Sequence, residues 1–221
     1  MRLIFSILFL LIVLNSTSHA QRSYTIYYKT YYKESDTQIY NGGVDLILAI
    51  KDSQSYTYSP TQPVEFPLGS TYIPKSRYFN IYRKLLIDPY GYKGEPKTNA
   101  LIIYDYPNNK WEITNEKKMI LGDSCIKANG KASGLDIIAW YSPRLPEGFG
   151  LYNYVGLPGT VLEVYMVERK VQTVAVSIDE TSPDIIEPTY FRRVSEKTYR
   201  RKRSNSGNPK IYWKDKDFIS R

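Results

Sequence analysis

The chain has 221 residues, a formal net charge of +8 and one cysteine, Cys125. A lone thiol closes no intrachain disulfide, so stability must come from packing. The one histidine, His19, falls in an expected leader, so the chain beyond Ala20 has no imidazole. That excludes Ser-His-Asp and Cys-His catalysis, ordinary zinc-hydrolase sites and any imidazole general base.

Residues 1–20 are laid out as an export signal: Arg2, an apolar run from Leu3 to Leu14, and the small-residue site Ser18-His19-Ala20. The run is about 12 residues, short of the roughly 18 to 20 that cross a bilayer, so cleavage before Gln21 is expected. The remainder, about 200 residues, suits one domain. No cysteine follows the cut directly, and no later stretch is long and apolar enough to span a membrane. The expected product is soluble, periplasmic or extracellular, without a transmembrane anchor.

From Gln21 onward the patterning has period two. Tyr24 to Tyr32 places Tyr24, Ile26, Tyr28 and Tyr32 on one face of a strand. Strand-length runs rich in β-branched and aromatic residues follow at Val44–Ile50, Ser55–Tyr58, Ala100–Tyr106, Trp111–Thr114, Lys118–Leu121 and Ile137–Tyr141. Thr160–Glu168 and Val171–Ile178, joined around Arg169-Lys170, predict an antiparallel hairpin. Only Lys75–Ile87 predicts a helix, with Tyr78, Tyr82 and Leu85 on one stripe and prolines 74 and 89 as boundaries. Pro89–Asn99 and Ser142–Gly150 predict exposed loops.

Charge collects at the end of the chain. From Tyr190 to Arg221 eleven bases face three acids, a net +8, so the rest of the exported chain is close to neutral. Thr198–Pro209 predicts a mobile loop or tail, which divides the chain into a signal peptide (1–20), a β-rich domain (21–197) and a basic C-terminal segment (198–221).

Gly156-Leu157-Pro158-Gly159-Thr160 predicts a type II turn launching the strand that starts at Val161, with proline presetting the second position and glycine accepting positive φ at the third. The stretch lacks the spacing and the Lys-Ser/Thr pair of a phosphate loop. With this turn, the chain resembles the GLPGLI family, small exported proteins typical of bacteria of the Bacteroidetes group. The resemblance runs from Trp111 to Val167. It rests on Trp111 and Ile120, Cys125 with Lys127-Ala128, Ala139-Trp140-Tyr141-Ser142-Pro143, Leu145-Pro146, and the Gly156–Gly159 turn leading into Val161-Leu162-Glu163. Departures are Thr160-Val161 for the usual Leu-Ile, Gly148-Phe149-Gly150 for a Gly-Pro pair, and Gly122-Asp123 for Gly-Tyr. The resemblance implies export and a β-rich domain, and it supplies no reaction.

The motif residues Trp111, Cys125, Trp140, Gly156, Leu157, Pro158 and Gly159 are read as structural, Cys125 as a buried thiol. Most of the 22 tyrosines suit half-buried strands with hydroxyls at the rim. Trp140 and Tyr141, on a strand entering a Pro/Gly loop, are the candidate ligand contacts. Asp136, Glu163, Glu168, Asp179 and Glu180 have no spacing that singles out an acid/base pair. No catalytic residue, metal ligand or cofactor is assigned.

The expected fold is mainly β, an antiparallel curved sheet or partly open barrel with one short helix. The expected function is binding, with an apolar ligand held on the curved sheet. The alternatives are an accessory subunit docking through the basic segment onto an outer-membrane or surface assembly, with an envelope protein as partner, and a hydrolase using carboxylates alone. Nucleic acid is not an expected partner.

Overall fold

The structure, a computed structural model, describes residues 23–33, 39–41, 46–59, 76–90, 99–132, 134–189, 191–206 and 213–219. The expected leader lies outside the described residues, as do residues 91–98 of the loop expected at Pro89–Asn99, whose Pro89 and Tyr90 instead end a strand. Thirteen strands form one sheet: β1 (Ser23–Lys33), β2 (Ile39–Asn41), β3 (Leu46–Lys51), β4 (Gln54–Tyr58), β5 (Arg77–Asn80), β6 (Leu85–Tyr90), β7 (Ala100–Tyr104), β8 (Glu112–Ile120), β9 (Asp123–Ala132), β10 (Leu135–Ser142), β11 (Thr160–Met166), β12 (Val171–Asp179) and β13 (Arg193–Ser195). Among the described residues, one α-helix, α1 (Glu196–Ser206), follows β13.

The order is β13-β7-β6-β5-β4-β3-β1-β12-β11-β10-β9-β8, with β2 also beside β1. Every pairing is antiparallel except β13 with β7. The sheet is open, ending at β8 and β13. β1 lies mid-sheet, with β3 on one flank and β12 on the other.

The sheet curves around its own loop. β5 and β8 lie eight strand spacings apart, about 40 Å if flat. Yet Phe149 meets Phe79 of β5 edge-on at 6.4 Å, while the Trp111 indole beside β8 donates to the Val155 carbonyl at 2.9 Å. One core cluster therefore joins Ile26 and Tyr28 (β1), Leu48 and Ile50 (β3), Phe79 (β5), Leu86 (β6), Cys125 (β9) and Leu162 (β11) to Leu145, Phe149, Leu151 and Val155. The loop expected to be exposed at Ser142–Gly150 instead supplies core: Leu145 and Phe149 are buried.

The predicted fold class is correct, but its helix is elsewhere. Residues 77–80 and 85–90 are strands around a turn at 81–84. Asn80 Oδ1 accepts from the Arg83 backbone N–H at 2.9 Å, an Asx-type turn that competes with helix, and Lys84 takes a left-handed φ of 47°. The helix occupies 196–206, overlapping the stretch from Thr198 read as a mobile loop or tail. Ser195 Oγ accepts from Thr198 N–H at 3.3 Å in the manner of an N-cap. Tyr199 of α1 and Trp213 then bury against Ala100, Ile102 and Val194, so the expected boundary at 197/198 falls within a packed helix. The hairpin at 160–178 is present as β11 and β12.

Candidate ligand cleft and the loop motif

The residues around the Gly156–Thr160 turn pack closely against the end of β10. The type II turn is replaced by a tighter one: Gly159 N–H donates to Leu157 O at 2.8 Å across Pro158, a γ-turn. A Cβ on Gly159 would lie 2.2 Å from the Ser142 carbonyl oxygen, which is why the backbone can close there. Gly156 holds φ +92°, and Gly148 N–H reaches Leu157 O at 2.8 Å. Leu157 is buried, and the side chain of Pro158 is exposed.

Asp123, the first residue of β9, fastens the start of the same loop. Its carboxylate accepts from Ser142 Oγ at 3.0 Å and from Arg144 Nε and Nη2 at 2.5 and 3.2 Å. Trp111 lies flat against Gly130, where a Cβ would come within 2.5 Å of the indole.

The two candidate ligand contacts are split by the strand. Tyr141 is 2% exposed and belongs to the core cluster of Ala139, Leu157 and Val161. Trp140 points the other way and carries the Lys118 ammonium 4.4 Å above its ring, while that ammonium also pairs with Glu163 at 2.6 Å. Neighbouring Cys125 is buried. Burial, then the Asp123 carboxylate, pushes its thiol up to about 11.

The five carboxylates considered for acid/base work have separate partners. Asp136 pairs with Lys131, Glu163 with Lys118 and Glu180 with Arg144. Glu168 accepts from the Asp136 backbone N–H, and Asp179 from Tyr27. Among the described residues, no three His, Cys, Asp or Glu side chains gather as a metal site, and no helix is long and apolar enough to cross a membrane.

Sequence reasoning missed a cleft on the convex face. Strand alternation sends Leu48 and Ile50 of β3 into the core and leaves Ala49, with Tyr56 and Tyr58 of β4, facing outward. After β12 the chain returns across these residues as an irregular strap, residues 181–189, ahead of β13. Between strap and sheet lies a cavity of about 470 Å3, lined by Ala49, Tyr56, Tyr58, Pro183, Ile185 and Ile186 among others.

Polar contacts hold the strap at intervals. Thr25 Oγ1 donates to Thr181 O at 2.7 Å, Lys51 Nζ pairs with Asp184 at 2.5 Å, and Glu187 takes both Arg83 and Arg193. Ile185 and Phe191 pack on the cluster of Tyr78, Ile87 and Leu101. Ile186 stays 80% exposed at the cleft. The Tyr56 and Tyr58 rings lie 6.1 Å apart at 42°, and Tyr56 OH donates to Ser76 Oγ at 2.8 Å. Burial raises the pKa of both phenols, so they stay neutral donors through the physiological range. Such a cleft offers stacking area, aliphatic contact and a few hydrogen bonds, and its volume suits a small molecule.

No family model matches the chain, and no curated protein matches it. Among solved structures, it is similar to PNGF-II in two crystal forms, P21 (TM-score 0.60) and C2 (TM-score 0.58), at 16% identity in each. The match covers 81% of this chain and 32% of PNGF-II, so the chain spans about a third of the length of the structures it resembles. What they share is the fold.

Proposed function

We propose that this is an exported binding protein of the GLPGLI kind, and that its ligand is a small apolar or aromatic molecule held in the cleft beneath the strap. The concave side, the expected ligand seat, is filled by Leu145, Phe149, Leu151 and Val155. The observation that carries the reading is the apolar cavity of about 470 Å3 on the opposite face, floored by Tyr56 and Tyr58 and roofed by prolines and isoleucines. Pockets of roughly 300 to 1,000 Å3 with mostly apolar walls are the usual seats of small ligands.

The ion pairs at Asp184 and Glu187 use up the carboxylates at the rim, which disfavours a cationic guest and leaves shape and ring contact to select it. The separate partners of the five candidate carboxylates give the hydrolase alternative no support.

Native mass spectrometry of protein purified from its own envelope, paired with titration of an environment-sensitive apolar dye, tests this reading. A retained small molecule and one saturable dye site are expected. Ile186→Arg and Tyr58→Ser should each weaken dye binding at least about tenfold, the scale of one lost anchor in a small pocket, with the melting temperature nearly unchanged for the exposed Ile186. Dye binding that both variants leave intact would remove the cleft from consideration.

A further inference from the structure

Beyond ligand binding, we infer that the outer face of α1, with the turn after it, is a docking surface for an anionic, phosphate-bearing lipid surface. Among the described residues from 191 to 219, nine bases face three acids, a net +6 out of the chain's +8. The fold fixes this charge in place. Tyr199 turns inward at 8% exposed, while Lys197 and Arg201, one helical turn apart, point to solvent.

The segment 213–217 is clamped beside the helix by Lys202, which pairs with Asp217 at 2.6 Å and lies 5.5 Å over the Trp213 ring. That contact brings the exposed Lys214 and Lys216 next to α1. The acids nearby are spent: Glu196 on Arg200, Asp215 on Arg192 and Asp217 on Lys202. Lys197, Arg201, Lys214 and Lys216 form no ion pair among the described residues. Their charge is available to an outside partner.

The composition of the face selects the partner class. Protein interfaces bind through a desolvated core of aromatic or aliphatic anchors, with lysine depleted. The exposed side of α1 instead presents Lys197, Arg200, Arg201, Ser204 and Asn205, with no apolar anchor. A plane of ammonium and guanidinium groups over small hydroxyl and amide side chains is complementary to a plane of phosphates.

Sedimentation of the purified full chain with vesicles tests this, using phosphatidylcholine alone and phosphatidylcholine mixed with phosphatidylglycerol, at low and high salt. Binding is expected only to the mixed vesicles, and high salt should reverse it. The double variant Lys197→Glu/Arg201→Glu should bind at least about tenfold more weakly. Both side chains are exposed, so an unchanged melting transition confirms that the variant is folded. Failure to bind mixed vesicles at low salt, or equal binding by the double variant, would overturn the inference. Capture by an acidic polypeptide as tight as by the mixed vesicles would also overturn it, in favour of a protein partner.

Discussion

Gly159 stands where any side chain would collide, since its Cβ would sit 2.2 Å from the Ser142 carbonyl oxygen. Gly159→Ala should therefore destabilise the fold by about 2 kcal/mol, seen as a lower denaturant midpoint. An unchanged midpoint would mean that the γ-turn can open without loss. Trp111→Phe removes the indole donor to Val155 O, but Asn109 Nδ2 still reaches that oxygen at 3.2 Å. A loss of only about 0.5 to 1 kcal/mol is expected. Cys125 should react with a thiol reagent far more slowly in the native protein than after unfolding, because burial both shields the sulfur and holds it protonated until about pH 11. Equal rates in the two states would contradict that placement. Glycine and proline at fixed spacing announced a turn at 156–159 but not its form, since the expected type II turn is a γ-turn. The opposite fates of Trp140 and Tyr141 follow from strand alternation alone. Which of the two joined which cluster, Trp140 packing on the concave core and Tyr141 entering that of Ala139, Leu157 and Val161, depended on register, which a single sequence does not specify.

Short strands and polar helices were the elements least legible. Between Arg77 and Ile87 the apolar side chains at 78, 82 and 85 imitate a helical stripe, yet Tyr82 is 83% exposed at a turn tip. Two strands of four and six residues around a four-residue turn produce the same spacing, and Asn80 was the signal that separates them. Helix α1 escaped for the converse reason. Only Tyr199 is buried, the good helix formers Glu196, Lys197 and Arg200–Arg203 lack an apolar stripe, and Thr198, Ser204, Asn205 and Ser206 favour helix less. Glu196 in the first turn, Arg203 in the last and Ser195 as cap were the readable cues. The strap was invisible because its place depends on where β12 ends, a tertiary fact. Its attachment should respond to acid. The hydrogen bond and charge of Lys51 lower the pKa of Asp184 below its ordinary 3.8. Their contact is thus fully present above that value and is lost as pH falls beneath it. The hydrogen-exchange protection of residues 181–189, taken against the intrinsic rate at each pH, should fall in acid, and Asp184→Asn should show the lower protection already at neutral pH. Exchange in the variant matching the parent would show that the other contacts suffice.

At the scale of the molecule, an open sheet has two ends to protect. β13 is three residues long and is followed at once by α1. β8 has nine residues, and its pairing with β9 is broken by a register shift between Ile113 and Lys117, a bulge of the kind that disrupts edge-to-edge association. Glu116, Lys117 and Lys118 add charge along it. Glu116→Thr/Lys117→Val should make this edge more adhesive and raise the mass seen by light scattering above that of the parent chain, and an unchanged mass would assign protection to the bulge alone. The enclosed pair of Arg77 and Asp88, two bonds of 2.6 Å, ties β5 to β6 beneath Tyr104 and Tyr152. Losing one partner there should cost about 3 kcal/mol.

The central position of β1 has a consequence for how the chain reaches its native state. One flank of β1 is completed early by β3, whereas Tyr28 meets Ala175 of β12 only about 150 residues later. Until β12 emerges from the ribosome, the hydrogen-bonding groups along that flank have no partner. The two halves of the sheet must then join across this seam, a late and entropically costly closure. Assembly should be slow, and a chain truncated before Val171 should be prone to pair with its neighbours.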